Sequence, residues 1–167
     1  MCGIAGYYSL KEQFTPDDLK IMTDSIQHRG PDAEGHYQDN VCGLGHRRLS
    51  IIDLSDRANQ PMFSSNGRYV VIYNGEVYNF SEIGARLKSA IGSDQSINFK
   101  TSSDTEIILE AFVHFGIDFV HLLNGMFAIA IYDTKLQELH LFRDRLGIKP
   151  LIYYWDGQTF IFASEIK

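Results

Sequence analysis

The chain has 167 residues, 44% hydrophobic and 22% charged, with 14 Gly and only 4 Pro, the composition of a globular domain that hides roughly 70% of its unfolded surface on folding. Fifteen Lys and Arg against 21 Asp and Glu leave a net charge of −6, and no basic stripe stands out, which argues against nucleic acid as a partner. No apolar run approaches the length of a membrane span, and Cys2 and Cys42 make neither a disulfide framework nor a CxxC pair for zinc or redox chemistry. The first positive side chain is Lys11. The basic start of a signal peptide is therefore missing, and a reducing cytoplasm is the expected compartment.

In chain order, Gly3–Tyr8 reads as a buried opening strand. Thr15-Pro16-Asp17-Asp18 is a helix start, with Thr as N-cap, Pro at the first helical position and acids in the first turn. Leu19, Met22 and Ile26 then share an apolar face, and His28-Arg29-Gly30-Pro31 stops the helix. Strands are expected at 35–38, 41–46 and 49–53, and the β-former run Arg68–Tyr73 is a further one. Residues 81–89 fit a short helix. A longer one opens near Ser103 and runs through Ile107, Ile108, Ala111 and Phe112 toward Gly116. The last third reads as strands at 126–133, 138–143, 151–155 and 160–163, joined by short turns in a meander-like antiparallel order. Helices together with many strands, several of them apolar on both faces, predict an α+β fold, a four-layer αββα sandwich of two antiparallel sheets.

Four places carry residues suited to chemistry. Cys2 directly follows Met1. Once Met1 is trimmed, one residue would hold a thiol nucleophile and an α-amine whose ordinary pKa of roughly 7.7–8.0 lets it act as the base. The alternative is a small apolar residue at the head of a strand. Asn74-Gly75, after the Arg68–Tyr73 strand, could supply a carboxamide NH₂ and a close backbone N–H to an oxyanion. On spacing alone, an ordinary Asn-Gly hairpin turn is the favoured meaning. Arg47 and Arg48 offer guanidinium forks for a carboxylate. Adjacent residues on a strand point to opposite faces, so one of the two faces any pocket. Asp104, in the capped helix start Ser103-Asp104-Thr105-Glu106, is either structural or a partner for a substrate ammonium group. The six histidines show no HExxH or other metal spacing.

Taken in order, Met1-Cys2-Gly3-Ile4-Ala5-Gly6, Arg29-Gly30-Pro31-Asp32, Arg48-Leu49-Ser50-Ile51-Ile52-Asp53, Gln60-Pro61-Met62, Tyr73-Asn74-Gly75-Glu76-Val77-Tyr78-Asn79, Ser103-Asp104-Thr105-Glu106, Arg143-Asp144 with Leu146-Gly147-Ile148-Lys149-Pro150, and Phe162-Ala163-Ser164-Glu165-Ile166-Lys167 resemble the glutaminase domain of glutamine-dependent asparagine synthetases. That is a class II glutamine amidotransferase of the N-terminal-nucleophile type. Each motif is weak alone; the ordered set spans the chain and is specific. Glucosamine-phosphate synthases and phosphoribosyl amidotransferases share the terminal Cys and the Asn-Gly pair but differ at the Arg-Gly-Pro-Asp and Arg-Leu-Ser-Ile-Ile-Asp segments.

The resemblance implies a single glutaminase domain over residues 1–167, with Cys2 as nucleophile and its freed α-amine as base. Asn74 and Gly75 would form the oxyanion hole. Arg48 would bind the glutamine α-carboxylate and Asp104 with Glu76 the α-ammonium, with Leu49 and Ile51 also lining the substrate. It implies no metal or organic cofactor for this half-reaction. ATP and Mg would serve only an ATP-dependent synthetase domain that is absent from these residues, whether as a further domain of a longer chain or as a separate partner using the ammonia. A homodimer is a candidate assembly. Two other outcomes fit the same residues: amidation of another carboxylate, such as a surface-polysaccharide sugar acid, and a catalytically inactive binding domain on the same fold.

Overall fold

A computed structural model describes residues 1–11, 14–51, 53–91 and 97–166. Ile52 and Lys167, which belong to two of the motifs above, lie outside the described residues. The elements are β1 (Gly3–Ser9), α1 (Pro16–Ser25), β2 (Ala33–Gln38), β3 (Cys42–Arg48), β4 (Met62–Phe63), β5 (Tyr69–Val77), α2 (Phe80–Ile91), α3 (Asp104–Phe115), β6 (Gly125–Asp133), β7 (Glu138–Arg143), β8 (Ile152–Trp155) and β9 (Thr159–Ala163). Three short 3-10 turns, at Gln27–Arg29, Asp56–Ala58 and Gly116–Leu122, connect them.

The strands form a five-stranded sheet in the order β2-β3-β1-β9-β8 and a four-stranded sheet in the order β4-β5-β6-β7, all pairs antiparallel. Alternation along β5 shows how the two sheets stack. Val70 and Ile72 pack with Ile4, Leu44, Ala128 and Phe162 between the sheets. Val71 and Tyr73 face outward onto Ile83 and Leu87 of α2 and Ile108 and Phe112 of α3. A strand buried on both faces reads as a continuous apolar run, as Tyr69–Tyr73 does. On the far side α1 covers the five-stranded sheet with Leu19 and Ile26, both buried. The αββα layering is thus as expected, with one helix outside and two opposite.

Local chemistry explains the element starts. Thr15 caps α1 with a complete capping box: its Oγ1 accepts the Asp18 N–H, and the Asp18 carboxylate accepts the Thr15 N–H. At α3, Glu106 accepts the backbone N–H groups of Lys100 and Thr101 at 2.9 and 2.7 Å. Gly116 ends that helix at φ +63°, a conformation that favours glycine.

Two expected features are corrected. Of the expected strand at 49–53, the described residues Leu49–Ile51 and Asp53 are not in a strand; β3 ends at Arg48, and Leu49–Ser50 leave the sheet. The backbone there is taken by side chains instead: Asp32 accepts the Ser50 N–H at 2.8 Å, and Arg48 donates to the Asp53 carbonyl. The C-terminal strands are also not one meander, because β7 and β8 lie in different sheets. After β7 the Asp144 N–H donates to the Phe127 carbonyl, and the Asp144 carboxylate accepts the Phe127 N–H. These bonds occupy the edge of β6 and send the chain into the other sheet.

Candidate active site

Cys2 sits at the head of β1, the central strand of the five-stranded sheet. The register pairs Gly3 with Arg47, so Cys2 lies level with the point where β3 gives way to its loop. Its Sγ accepts the Leu49 N–H at 3.4 Å and donates to the Leu49 carbonyl at 3.6 Å. The Cys2 carbonyl is held by Arg29, whose Nε donates at 3.0 Å while Nη1 donates to Glu165 at 2.6 Å. That guanidinium holds the Glu165 carboxyl below its usual range, with His28 adding to the effect. Gly30 lies flat against β3: a Cβ there would run into the Arg47 carbonyl, with the Arg48 carbonyl carbon at 2.6 Å. Asp32 donates its N–H to the Arg48 carbonyl at 3.0 Å and accepts the Ser50 N–H. The Arg29–Asp32 turn therefore fixes both sides of the Cys2–Leu49 contact.

Asn74 and Gly75 do not form a hairpin turn. They are ladder residues near the end of β5, paired with Ala128 and Phe127 of β6. Alternation from Val70 and Ile72 places the Asn74 side chain on the face toward the other sheet, the sheet that carries Cys2. Asn74 is 1% exposed, and among the described residues its Nδ2 has no hydrogen-bond partner. An unpaired buried amide donor is uncommon and calls for an explanation, a site for an incoming acceptor among them. Gly75 is required sterically. A Cβ there would fall inside contact distance of the Met126 carbonyl oxygen and sit 2.8 Å from the Phe127 Cα, so β5 and β6 could not keep their spacing.

Tyr73 and His46 tie the layers together behind this pair. His46, on β3 and fully buried, lies with Nε2 3.2 Å from the Tyr73 carbonyl oxygen of β5. Tyr73 donates its hydroxyl to Asp104 at 2.8 Å. Burial first, and then the charge of Asp104, push the Tyr73 phenol well above its usual range; Glu76 and Cys2 add smaller contributions. Three expected site residues thus lie within electrostatic reach of one ring. Burial also pushes the His46 imidazole down to about 4, against an ordinary value of about 6.5. A folded pKa below the unfolded one means that the unfolded chain takes up the proton first as pH falls. Stability from this residue is fully present above about pH 6.5 and is lost as pH drops toward 4, by about 3 kcal/mol in all. Denaturant titrations across that window should show a steeper loss in the native protein than in His46→Gln, the difference isolating this group from the carboxylates.

Arg48 at the end of β3 and Asp104 at the start of α3 are far apart in sequence, but Asp53 in the loop after β3 links their surroundings. Arg48 is buried; Nη1 donates to the Ser55 carbonyl at 2.9 Å and to Asn59 Oδ1 at 2.6 Å, and Nη2 donates to the Asp53 carbonyl. Three of the five guanidinium N–H donors are thereby engaged, which leaves two among the described residues. The Asp53 carboxylate accepts the Ser102 N–H at 3.1 Å, two residues before Asp104. Asp104 is buried, and its Oδ2 also accepts the Val77 N–H at 3.1 Å. Burial pushes its carboxyl pKa up, partly offset by these donors. Arg47 points the other way, to Asp24 of α1 and Glu34 of β2, as alternation along a strand demands. Leu49 is half-buried beside Cys2. Glu76 is exposed on the same face of β5 as Asn74, and Ile51 is 74% exposed, with no polar contact to the others.

The framework around Cys2 escaped residue-by-residue reading. Arg29 and Glu165 clamp the Cys2 carbonyl from motifs 136 residues apart. Gln60 accepts the Tyr73 N–H at 2.6 Å and donates to Thr105 at 3.3 Å. The available signal was the presence of these residues in motifs that had no chemistry of their own. Among the described residues no cluster of His, Cys, Asp and Glu is arranged to hold a metal, and no helix is long and apolar enough to cross a membrane.

Comparison with known proteins bears on the family and the fold. The family described as "Glutamine amidotransferase domain" matches residues 1–167. Asparagine synthetase [glutamine-hydrolyzing] 2 of Bacillus subtilis is 43% identical over 171 residues, spanning all of this chain and 22% of that protein. Putative asparagine synthetase [glutamine-hydrolyzing] 2 of Methanocaldococcus jannaschii is 37% identical over 185 residues, spanning all of this chain and 34% of that protein. The chain thus accounts for no more than about a third of these relatives' lengths. Among solved structures, the glutamine phosphoribosylpyrophosphate amidotransferase of B. subtilis aligns with a TM-score of 0.75 over 98% of this chain and 42% of that one. Its 22% identity speaks for a shared fold alone. With a whole-chain family match and full-length similarity to these synthetases, the chain belongs to the glutamine amidotransferase domain family, among the relatives of glutamine-hydrolysing asparagine synthetases.

Proposed function

We propose that the domain hydrolyses glutamine to glutamate and ammonia, with Cys2 as nucleophile after removal of Met1. The freed α-amine takes the thiol proton, and the thiolate attacks the side-chain amide carbon. The oxyanion is met by Asn74 Nδ2 and the Gly75 N–H. Its collapse expels ammonia, protonated by the α-ammonium, and leaves a γ-glutamyl thioester. Water, deprotonated by the same amine, then releases glutamate and restores the thiol. Arg48 holds the α-carboxylate with its two remaining donors, and Asp104 with Glu76 holds the α-ammonium; Leu49 and Ile51 flank the substrate. The observation that carries this reading is the Asn74 donor, buried and, among the described residues, unpartnered on the face toward the sheet that begins with Cys2.

In this reading the half-reaction uses no metal or organic cofactor. The ammonia serves an ATP-dependent synthetase domain of the kind that full-length relatives carry, yielding asparagine from aspartate.

The test is the intact mass before and after treatment with diazo-oxo-norleucine, a glutamine-like electrophile. Loss of Met1 plus one adduct on Cys2, blocked by glutamine, is the expected result. Met1-free protein that takes no adduct would overturn the reading. Asn74→Ala should lower kcat for glutamine hydrolysis by roughly 10²–10³ with KM little changed, because the donor acts on charge that develops in the transition state.

A further inference from the structure

The charge-dense segment from Arg143 to Pro150 has no part in the reaction just described, yet the fold carries it to the same corner of the molecule. Asp144 pins it to Phe127 of β6, the residue paired with Gly75. The same carboxylate accepts the N–H groups of Ile148 and Lys149 at 2.9 and 3.0 Å. Arg143 donates to the carbonyls of Gly147 and Lys149 at 2.8 and 2.9 Å. With its backbone held this way, Lys149 is buried to 6% exposure, and its Nζ lies 3.3 Å from Met1 Sδ. Among the described residues this thioether is the only polar partner of the ammonium.

That pairing is chemically poor. An ammonium has three donors, a thioether is a weak acceptor, and a buried charge without a counter-charge is costly. The partner is also the residue that must leave before Cys2 has a free amine. Bond lengths along Met1 keep Sδ within roughly 6.5 Å of the Cys2 nitrogen, so Nζ lies no more than about 10 Å from it.

We propose that Lys149 is the positioning charge of the processed enzyme: with Met1 gone, its buried ammonium faces the Cys2 terminus, keeps the α-amine as the free base and favours the thiolate. One cation does both, because positive charge opposes protonation of an amine and favours ionisation of a thiol. The inference rests on the assignment of Cys2 as nucleophile. The other charged and titratable groups around this corner include Arg29 and Asp32 from the turn after α1, His46 and Arg48 from β3, Tyr73 and Glu76 from β5, Asp104 from α3, Glu165 paired with Arg29, and Arg143 and Asp144 against the Lys149 backbone. All of them remain when Lys149 alone is changed.

The test follows Cys2 alkylation by iodoacetamide, which needs no glutamine pocket, from about pH 5.5 to about 9.5. It uses protein shown by intact mass to lack Met1, with adducts mapped to the residue. Lys149→Met keeps the apolar stem, Lys149→Gln guards against a folding failure of the first variant, and Lys149→Arg keeps the charge. Both neutral variants should move the midpoint of the pH–rate profile up by about one unit and slow alkylation at neutral pH roughly five- to ten-fold. The Arg variant should follow the native profile, and the glutamine KM should stay unchanged throughout. A neutral variant that melts like the native protein and keeps the native profile overturns the proposal. So does a higher KM with an unmoved profile, which would make Lys149 a substrate contact. If native processed protein is itself neither alkylated at Cys2 nor active on glutamine, the nucleophile assignment fails instead.

Discussion

Cys2→Ala is expected to abolish glutamine hydrolysis, by at least about 10⁴-fold, while leaving the fold intact and glutamine binding measurable. The size follows from the role: without the nucleophile the remaining groups can orient glutamine and stabilise charge, but no thioester can form. The stability cost should be small, within about 0.5 kcal/mol. Among the described residues Sγ makes two long polar contacts, both to Leu49, and Cys2 is only partly buried. Alanine is also small enough to allow Met1 removal, so processing does not confuse the comparison. Glutamate release by coupled assay and glutamine binding by calorimetry should separate the two effects. Hydrolysis that persisted in the Ala variant would remove Cys2 from the chemistry.

Gly75→Ala should do damage of a different kind. The added methyl meets two backbone atoms of β6, the Met126 carbonyl oxygen and the Phe127 Cα, and the Tyr73 ring as well. Backbone cannot swing aside like the end of a lysine, so the β5–β6 ladder must part or shift. Overpacking of this sort costs about 2–3 kcal/mol, a drop in Tm of roughly 5–10 °C for a domain of this size. The same shift moves the Gly75 N–H and the Asn74 carboxamide off the oxyanion together. Activity should therefore fall further than in Asn74→Ala, even well below the new Tm. A Gly75→Ala protein with native Tm and native kcat would mean that β6 yields freely and that the ladder does not set the donor geometry.

The contrast between these two sites shows what could be read from residues alone. The Thr15 N-cap and the Gly116 stop are local, with their partners within a turn, and they were legible at once. The layer order followed from runs such as Tyr69–Tyr73 that are apolar on both faces. Asn74-Gly75 misled on spacing because the dipeptide's turn preference is local, whereas its place in the ladder is set by β6, fifty residues on. The 49–53 segment likewise has strand-like side chains, but Asp32 and Arg48 capture the Ser50 N–H and the Asp53 carbonyl from outside it. Arg48 could be singled out from Arg47 only through the resemblance; alternation said that one arginine would face a pocket, not which. The Arg29–Glu165 clamp and the Lys149–Met1 contact join distant parts of the chain and have no local signature.

The central position of β1 has a consequence for biosynthesis. One neighbour, β3, brings Leu49 to Cys2 across 47 residues, but the other, β9, closes over Ile4 only through Ser164, 160 residues away. During synthesis β1 is made long before β9, so its strand stays open along one edge until nearly all of these residues have been made. The removal of Met1 that the proposed reaction calls for can therefore act on a residue not yet enclosed. The late arrival of β9 would turn a freshly exposed amine into a built-in one, and slow closure of so long-range a ladder lengthens the interval in which that trimming can occur.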